Sequence, residues 1–288
     1  MTGNAAPCAM AGLYIPPRPS ILADLTEEIR LPAPSLSRLT ELIRRDVGLA
    51  AVILRAVNSA AAEPAARVTS IGQAITTLGL AQVTHLIASN APCLAVTEKT
   101  NALERFWDSA AETAAISRRL DETLGGSAPE DAYSAGLFLD CGIPLLMHKH
   151  ADYKETLRLA NAARAFVQPE EERHDTNHAV VGYFVCKSWK MPDILCQVVL
   201  HHHDSSLLTE SSSLPEPTRR LIAITKLAEH VSNTYRTSKT QIAHQQRRRH
   251  ATPEWDACQA SVMEQLSLHE IGLHELLDDT LEWLQESA

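Results

Sequence analysis

The chain has 288 residues, of which 45% are hydrophobic and 21% are charged, with a formal net charge of −9 at pH 7. This length and composition allow a substantial buried core and exclude a largely disordered protein. The negative charge argues against a general binder of nucleic acid or anionic membranes. No window has the apolar length of a membrane span, so we expect a soluble protein.

The cysteines and the N-terminus indicate where the protein resides. The six cysteines are scattered along the chain and form no C-x-x-C pair. This spacing predicts neither a disulfide framework nor a thiolate zinc site. The first twenty residues lack a basic segment followed by an apolar one, as a secretory signal would have. We therefore expect a protein of the reducing cytoplasm.

The apolar pattern of the first half predicts short helices. Aromatic residues make up 5% of the chain, and alanine and leucine supply most of the apolar content, which favours packed helices over a sandwich or barrel. A helix begins at Ser20, and Ser35 and Asp46 are suitable N-caps for the next two. Ser70 opens a short helix that Gly79 ends, and another follows as far as residue 90.

The helical pattern continues through the second half. Apolar periodicity predicts helices over 102–124, 143–150, 153–165 and 219–234, one more after Pro129, and a helical C-terminus from Thr252. Residues rich in serine and proline predict a surface loop over 205–217. No alternation of strands with helices and no Gly-rich phosphate loop occurs, so the predicted fold class is all-α.

Four residues have the chemistry of metal ligands. His178 heads one apolar helical pattern, and a second apolar run ends on His201, His202 and His203. Asp140 follows another buried helix. Imidazole and carboxylate groups together suit Zn, Mn, Fe or Ni, in sites that facing helices form. The alternative is structural: His178 caps or packs a helix, and the triple histidine is a partly exposed helix end.

Several short motifs resemble those of the HDOD family, the HD-related output domains of bacterial signalling proteins. The segment that begins at Asp46 and ends at Asn58 and Ser59 resembles the family's D-P-x-L…L-L-R-x-x-N-S motif. Residues 71–79 resemble its S-I-x-x-A-I-x-x-L-G motif. These motifs occur here in the family's order.

A third motif extends the resemblance to about residue 232. Trp189 and Pro192, followed by His202 and His203, are similar to the family's W-x-L-P…H-H segment, with methionine in place of leucine. The resemblance implies a multi-helix bundle with an N-terminal lobe at 15–100 and an HD-like lobe at 101–234. Residues 1 to about 20 are small and Pro-rich, and we expect 1–14 to be extended or disordered. Residues 235–288 lie outside the resemblance, and we expect a C-terminal helical extension that packs on the core rather than on another subunit.

The wider HD superfamily consists of all-helical, metal-dependent phosphohydrolases named for a His-Asp metal pair. The resemblance places the aspartate of that pair at Asp140, while Leu139 stands where its histidine would be. Ser109 stands where the superfamily has another ligand histidine. Leucine cannot bind a metal, and a serine hydroxyl is a poor substitute for imidazole. The resemblance therefore implies a degenerate catalytic site.

His178, His202 and His203 resemble positions that bind additional metals in the related HD-GYP phosphodiesterases. Together with Asp140 they form a candidate residual metal site. The G-Y-P segment of those enzymes is absent after His203. Hydrolysis of cyclic dinucleotides is therefore not expected.

These residues favour a non-catalytic regulatory domain of bacterial signal transduction that binds a protein partner or a small ligand. It would require no cofactor, although a divalent transition metal is a candidate. The competing class is a divergent metal-dependent phosphohydrolase that acts on nucleotides or cyclic dinucleotides. A nucleic-acid-associated regulator has only the basic run Arg247–Arg249 in its favour. The partner, the pathway and the oligomeric state stay open.

Overall fold

The computed structural model describes residues 15–94, 103–163, 166–209, 211–241 and 252–286. Within these ranges the chain is helical and has no strand, which confirms the all-α class. The helices of the first half are α1 (Pro19–Arg30), α2 (Leu36–Arg44), α3 (Val47–Ser59), α4 (Ile71–Leu94), α5 (Glu104–Thr123) and α6 (Pro129–Phe138).

The second half adds eight α-helices and one short 3-10 turn in the described ranges. The helices are α7 (Ile143–Lys149), α8 (Tyr153–Ala160), α9 (Gln168–His174), α10 (His178–Ser188), α11 (Asp193–His201), α12 (Glu216–Gln241), α13 (Pro253–Gln265) and α14 (Glu270–Glu286). Ser205–Leu208 forms the 3-10 turn, and it buries Leu208 within the loop predicted at 205–217.

The predicted helix starts have the expected capping bonds. The side chains of Ser35, Asp46 and Thr252 each accept a hydrogen bond from the backbone amide three residues later, at 3.3, 2.8 and 3.2 Å. These bonds satisfy amides that a helix leaves without partners at its N-terminus. Gly79 interrupts α4 with a φ of 72° and a ψ of 166°, so it ends one helical segment, as its position predicted.

Two helices differ from the prediction in length, and a third was missed. The helix predicted over 153–165 ends at Ala160, and Asn161 then donates its side-chain amide to the carbonyl of Leu157 at 2.8 Å. That bond offers the backbone a local alternative to further helix. The helix predicted over 219–234 runs from 216 to 241. The missed helix is α9, which contains no apolar residue and therefore shows no periodicity.

The helices enclose two hydrophobic cores. The first core joins α1–α4 to one face each of α5, α6 and α11, with α10 beside them. The second joins the opposite faces of α5, α6 and α11 to α12–α14. Three central helices therefore belong to both cores. The helix α12 runs through the boundary expected at residue 234, so the HD-like lobe and the extension share one continuous helix.

The residues that carried the family resemblance hold helix ends together. Asn58 bonds both the backbone N–H and the carbonyl of Val68, at 2.7 and 3.0 Å, which closes the segment after α3. Trp189 is buried with its ring edge-on to Phe138. Pro192 is the residue before α11, and Ser59 is the exposed last residue of α3. Within the described ranges, no helix is long and apolar enough to cross a membrane.

Candidate metal centre

The four predicted ligand residues lie together between α6, α10 and α11. Nε2 of His178 is 3.3 Å from Oδ1 of Asp140, 3.2 Å from Nε2 of His202 and 2.9 Å from Nε2 of His203. His202 is 3.7 Å from the same carboxylate oxygen. Residues separated by up to 63 positions in the chain thus present three ring nitrogens and one carboxylate to a common point.

Each imidazole is fixed by a hydrogen bond on its other nitrogen. Nδ1 of His178 lies 2.8 Å from the carboxylate of Glu170, and Nδ1 of His203 lies 2.5 Å from that of Glu254. Nδ1 of His202 lies 2.8 Å from the carbonyl of Val199, one turn back in α11. Carboxylates and carbonyls accept hydrogen bonds, so we assign Nδ1 as the donor in all three rings. This bonding directs the Nε2 atoms inward, as in histidines that bind metals.

Glu170 is fully buried, and it accepts hydrogen bonds from donors on α8 and α10. It accepts from the Tyr153 hydroxyl at 2.5 Å, from the backbone amide of His178 at 2.8 Å, and from the His178 ring. Asn177 caps α10 and also donates to Glu171 at 2.7 Å. The charged helix α9 is therefore attached to the start of α10 at two points, and these contacts hold the His178 ring in one orientation.

A close backbone approach brings Asp140 to His178. The residue after Cys141 is Gly142, and a Cβ atom built on it would lie 2.1 Å from the carbonyl oxygen of His178. Only a glycine leaves room for this contact between the α6–α7 connection and the first turn of α10. The glycine of the Leu-Asp-Cys-Gly segment thus has a packing role in the site.

The cluster controls the charges of its own members. Burial opposes protonation of His178, yet hydrogen bonds with Asp140 and Glu170 raise its pKa to about 10. Burial likewise opposes ionisation of Asp140, but its bonds with His178 and His202 hold its pKa well below the ordinary value. At neutral pH the metal-free cluster therefore contains an imidazolium between two carboxylates. Burial, reinforced by His202 and Lys226, keeps the pKa of His203 well below its usual range, so this ring is neutral.

A second layer of charge comes from α12 and α13. Nζ of Lys226 lies 2.9 Å from Glu229 and 3.1 Å from Glu254, and its side chain is only 7% exposed. Asp140, His202 and Glu229 form a second group whose ligand atoms lie within 4.8 Å of one another. This group shares His202 with the group of three histidines. The carboxylates around the cluster outnumber the cations, which suits the binding of a positive ion.

An aromatic side chain covers the histidines. Phe166 stacks on His203 with ring centroids 4.8 Å apart and an angle of 7° between the planes, and it meets His178 edge-on at 5.7 Å. It also borders a recess of about 410 Å³ between the α8–α9 connection and the helices α12 and α13. The recess is lined further by polar and aromatic residues, among them Asn161, Glu229, His230 and Trp255.

The donors present fit a divalent transition metal. Three imidazoles with oriented Nε2 atoms and a neighbouring carboxylate are ligands for Zn, Mn, Fe or Ni, and each ring has the outer hydrogen bond that such ligands commonly have. The two positions predicted to be degenerate contribute no such donor. Leu139 is buried in the second hydrophobic core. Ser109 lies half-buried on α5, and no hydrogen bond within the described ranges joins it to the histidines.

The sequence therefore predicted the residues of the cluster but missed those that orient them. Glu170, Glu254 and Lys226 stand in charged segments that resemble solvated helix surfaces. A weak signal existed for Glu170, since Pro169 before it suits the first turn of a helix. The basic run Arg247–Arg249 lies outside the described residues.

A family model for the HDOD domain matches residues 15–205, which is more than half of the chain. The protein belongs to the HDOD family, as its motifs predicted. The match includes the four ligand residues and Glu170. It ends before α12 and α13, which contribute Lys226, Glu229 and Glu254.

Known proteins resemble the chain in sequence or in fold. An uncharacterized protein of Treponema pallidum (strain Nichols) is 25% identical over 194 residues, which cover 66% of this chain and 38% of that relative. The chain thus spans well under half the length of that relative. The MmoQ response regulator of Methylococcus capsulatus is similar with a TM-score of 0.65 and 20% identity, covering 93% of this chain and 99% of the other. A virulence factor of Campylobacter jejuni has a TM-score of 0.56 and 16% identity, covering 93% and 95%. At these identities the structural likeness shows the fold.

Proposed function

We propose that this HDOD protein is a non-catalytic regulatory domain of a signalling system, with a divalent transition metal held by Asp140, His178, His202 and His203. The observation that carries the proposal is the combination of three oriented imidazoles with a leucine at the position of the HD-pair histidine. The imidazoles supply a binding site. Leu139 and Ser109 leave the ligand set of a phosphohydrolase incomplete, so binding is favoured over hydrolysis.

The metal would have a structural role. It would join α6, α10 and α11 at the point where the two hydrophobic cores meet, and the oriented rings would meet it with little rearrangement. The neighbouring recess is open to solvent, and its polar and aromatic lining suits a small polar group. We infer that a small polar ligand or a side chain of a protein partner binds there, and that its binding is the regulatory event.

Metal analysis and an activity assay test this proposal together. We expect the purified chain to bind about one Co²⁺ or Zn²⁺ per molecule, and His178→Ala to abolish that binding. The protein loaded with Mn²⁺ or Fe²⁺ should not hydrolyse bis-p-nitrophenyl phosphate or cyclic dinucleotides. Turnover of about 1 s⁻¹ or faster, which is in the usual enzyme range, would contradict the proposal if Asp140→Ala abolished it.

One observation favours a metal-dependent phosphohydrolase as the second candidate. The group of Asp140, His202 and Glu229 adjoins the group of three histidines, and two neighbouring metal ions are typical of phosphodiester hydrolysis. Two bound metals per chain, together with the turnover described above, would favour this candidate. A stoichiometry of one without turnover supports the regulatory domain.

A further inference from the structure

One carboxylate beside the histidines comes from outside the matched family segment. Glu254 lies in the first turn of α13, whereas the HDOD match ends at residue 205. Its side chain is 15% exposed and lies 2.5 Å from Nδ1 of His203. The C-terminal extension thus directly contacts a candidate metal ligand of the HDOD domain.

The first turn of α13 is built to present this carboxylate. Thr252 caps the helix, and Pro253 stands at its first position. Trp255 is buried and stacks on His230 of α12, with ring centroids 4.1 Å apart and 7° between the planes. Lys226 of α12 donates to Oε1 of Glu254 at 3.1 Å, the same oxygen that lies beside His203. The carboxylate is therefore held on His203 by contacts between α12 and α13.

We propose that α13 responds to occupation of the histidine cluster through Glu254, which acts as a positioning residue for His203. The inference rests on the proposed metal site. When His203 shares its Nε2 lone pair with a cation, its Nδ1–H becomes more acidic and donates more strongly to Glu254. The carboxylate in turn makes Nε2 a better donor to the cation.

Thermodynamic linkage makes this relation quantitative. The factor by which the docking of α13 increases metal affinity must equal the factor by which the metal stabilises the docked state of α13. Loss of such an outer carboxylate typically weakens metal binding by about 10- to 100-fold. Amide hydrogen exchange in α13 that requires the helix to undock should therefore become slower by a similar factor when the metal binds.

The full chain and one pair of variants test this coupling, with Co²⁺ alone as the probe. Glu254→Gln removes the negative charge that faces Nδ1 of His203. Asp256→Asn removes a charge from the same first turn of α13, but from an exposed side chain, so both variants lose the same interaction with the helix dipole. Visible absorption of bound Co²⁺ measures the affinity. Amide hydrogen exchange over 253–265, with and without Co²⁺, measures the docking of α13.

We expect Co²⁺ to slow exchange over 253–265 in the wild-type chain and in Asp256→Asn. In Glu254→Gln, Co²⁺ should bind 10- to 100-fold more weakly and should no longer slow exchange there, although α10 and α11 remain protected. The factor lost in affinity should match the factor lost in protection. A merely structural role of Glu254 would alter exchange equally with and without Co²⁺.

Three results would overturn the proposal, and they differ in whether the proposed metal site fails as well. Wild-type chain that binds Co²⁺ while α13 exchange is unchanged disproves the coupling and leaves the metal site intact. Chain that binds no Co²⁺ at the histidines disproves both the coupling and the proposed metal site. Equal Co²⁺ affinity in Glu254→Gln and Asp256→Asn also disproves the coupling.

Discussion

Asp46 and Glu170 are both fully buried carboxylates, but their surroundings give them different roles. Asp46, in the N-terminal lobe, accepts from backbone amides, including those of Arg18 at 2.6 Å and Leu49 at 2.8 Å. Burial outweighs these bonds and raises its pKa to about 6. Glu170 faces the ring of His178, and bonds with this cation lower its pKa although burial opposes the change. Because its donors are backbone amides, Asp46 has a structural role. Because its partner is a titratable ring, Glu170 forms part of the candidate site.

The largest expected effect on stability comes from removal of the Glu170 carboxylate. Glu170→Ala removes a carboxylate from beside a buried imidazolium, and we expect the free energy of unfolding to fall by about 3–5 kcal/mol. Chemical denaturation at pH 7 in the presence of a chelator measures the change. Glu172→Ala, at an exposed position of α9, should change stability by less than about 0.5 kcal/mol. Similar losses of stability in both variants would mean that the carboxylate of Glu170 does not stabilise the His178 ring.

The next effect concerns the contact between the α6–α7 connection and α10. In Gly142→Ala the added Cβ would meet the backbone of His178 at 2.1 Å, and neither backbone segment can yield as a flexible side chain could. We expect a loss of about 3 kcal/mol, at the upper end of the range for overpacking, measured by thermal denaturation. Gly272→Ala meets no atom within 4 Å in the helix α14 and should instead stabilise by up to about 1 kcal/mol.

The raised pKa of Asp46 should make the stability of the protein depend on pH. The folded chain holds the proton of Asp46 up to about pH 6, whereas the unfolded chain releases it near the ordinary aspartate pKa of 3.8. Between these values the native state binds more protons, so stability falls as pH rises. Asp46→Asn lacks this dependence. The difference in unfolding free energy between variant and wild type should shift in favour of the variant by about 2–3 kcal/mol from pH 4 to pH 7.

Only this difference is informative, because the asparagine also alters the bond to the Arg18 amide at every pH. Urea denaturation at several pH values supplies it. A difference that stays constant from pH 4 to pH 7 would show that Asp46 titrates normally, and the contrast with Glu170 would be lost.

The smallest effect on stability concerns Phe166, the aromatic side chain that covers the histidines. Phe166→Leu keeps an apolar side chain over the cluster but loses the stacking on His203, which is worth about 1 kcal/mol. Phe184→Leu is the matched control, because Phe184 is 61% exposed on α10 and should be neutral within about 0.5 kcal/mol. Thermal denaturation compares the two. Equal effects would indicate that the stacking contributes nothing beyond apolar cover.

The sequence predicted the fold well, because apolar periodicity, capping residues and glycines act locally. Ser35, Asp46 and Thr252 cap the helices they were expected to cap, and Gly79 interrupts α4. The missed helix α9 has no apolar residue. Its position depends on tertiary contacts of its polar side chains with α8 and α10, among them the buried Glu170, and local periodicity carries no information about those contacts.

The site was predicted only as far as its inner residues. Histidines are uncommon and clustered enough to be noticed, so His178, His202 and His203 were identifiable. Glu170 is one of three consecutive glutamates, and only the tertiary structure determines that this one is buried. The same holds for Glu254, since its bond to His203 spans 51 residues.

The two interleaved cores constrain how the chain folds as it leaves the ribosome. The N-terminal core needs Val199 of α11 for completion, and the outer bonds of the cluster need Glu254. Domains often fold in order of synthesis, but here the first hundred residues lack the helices that close their own core. The candidate metal site can therefore form fully only once Glu254 has emerged, so it assembles after the helices α1–α12 have been synthesised.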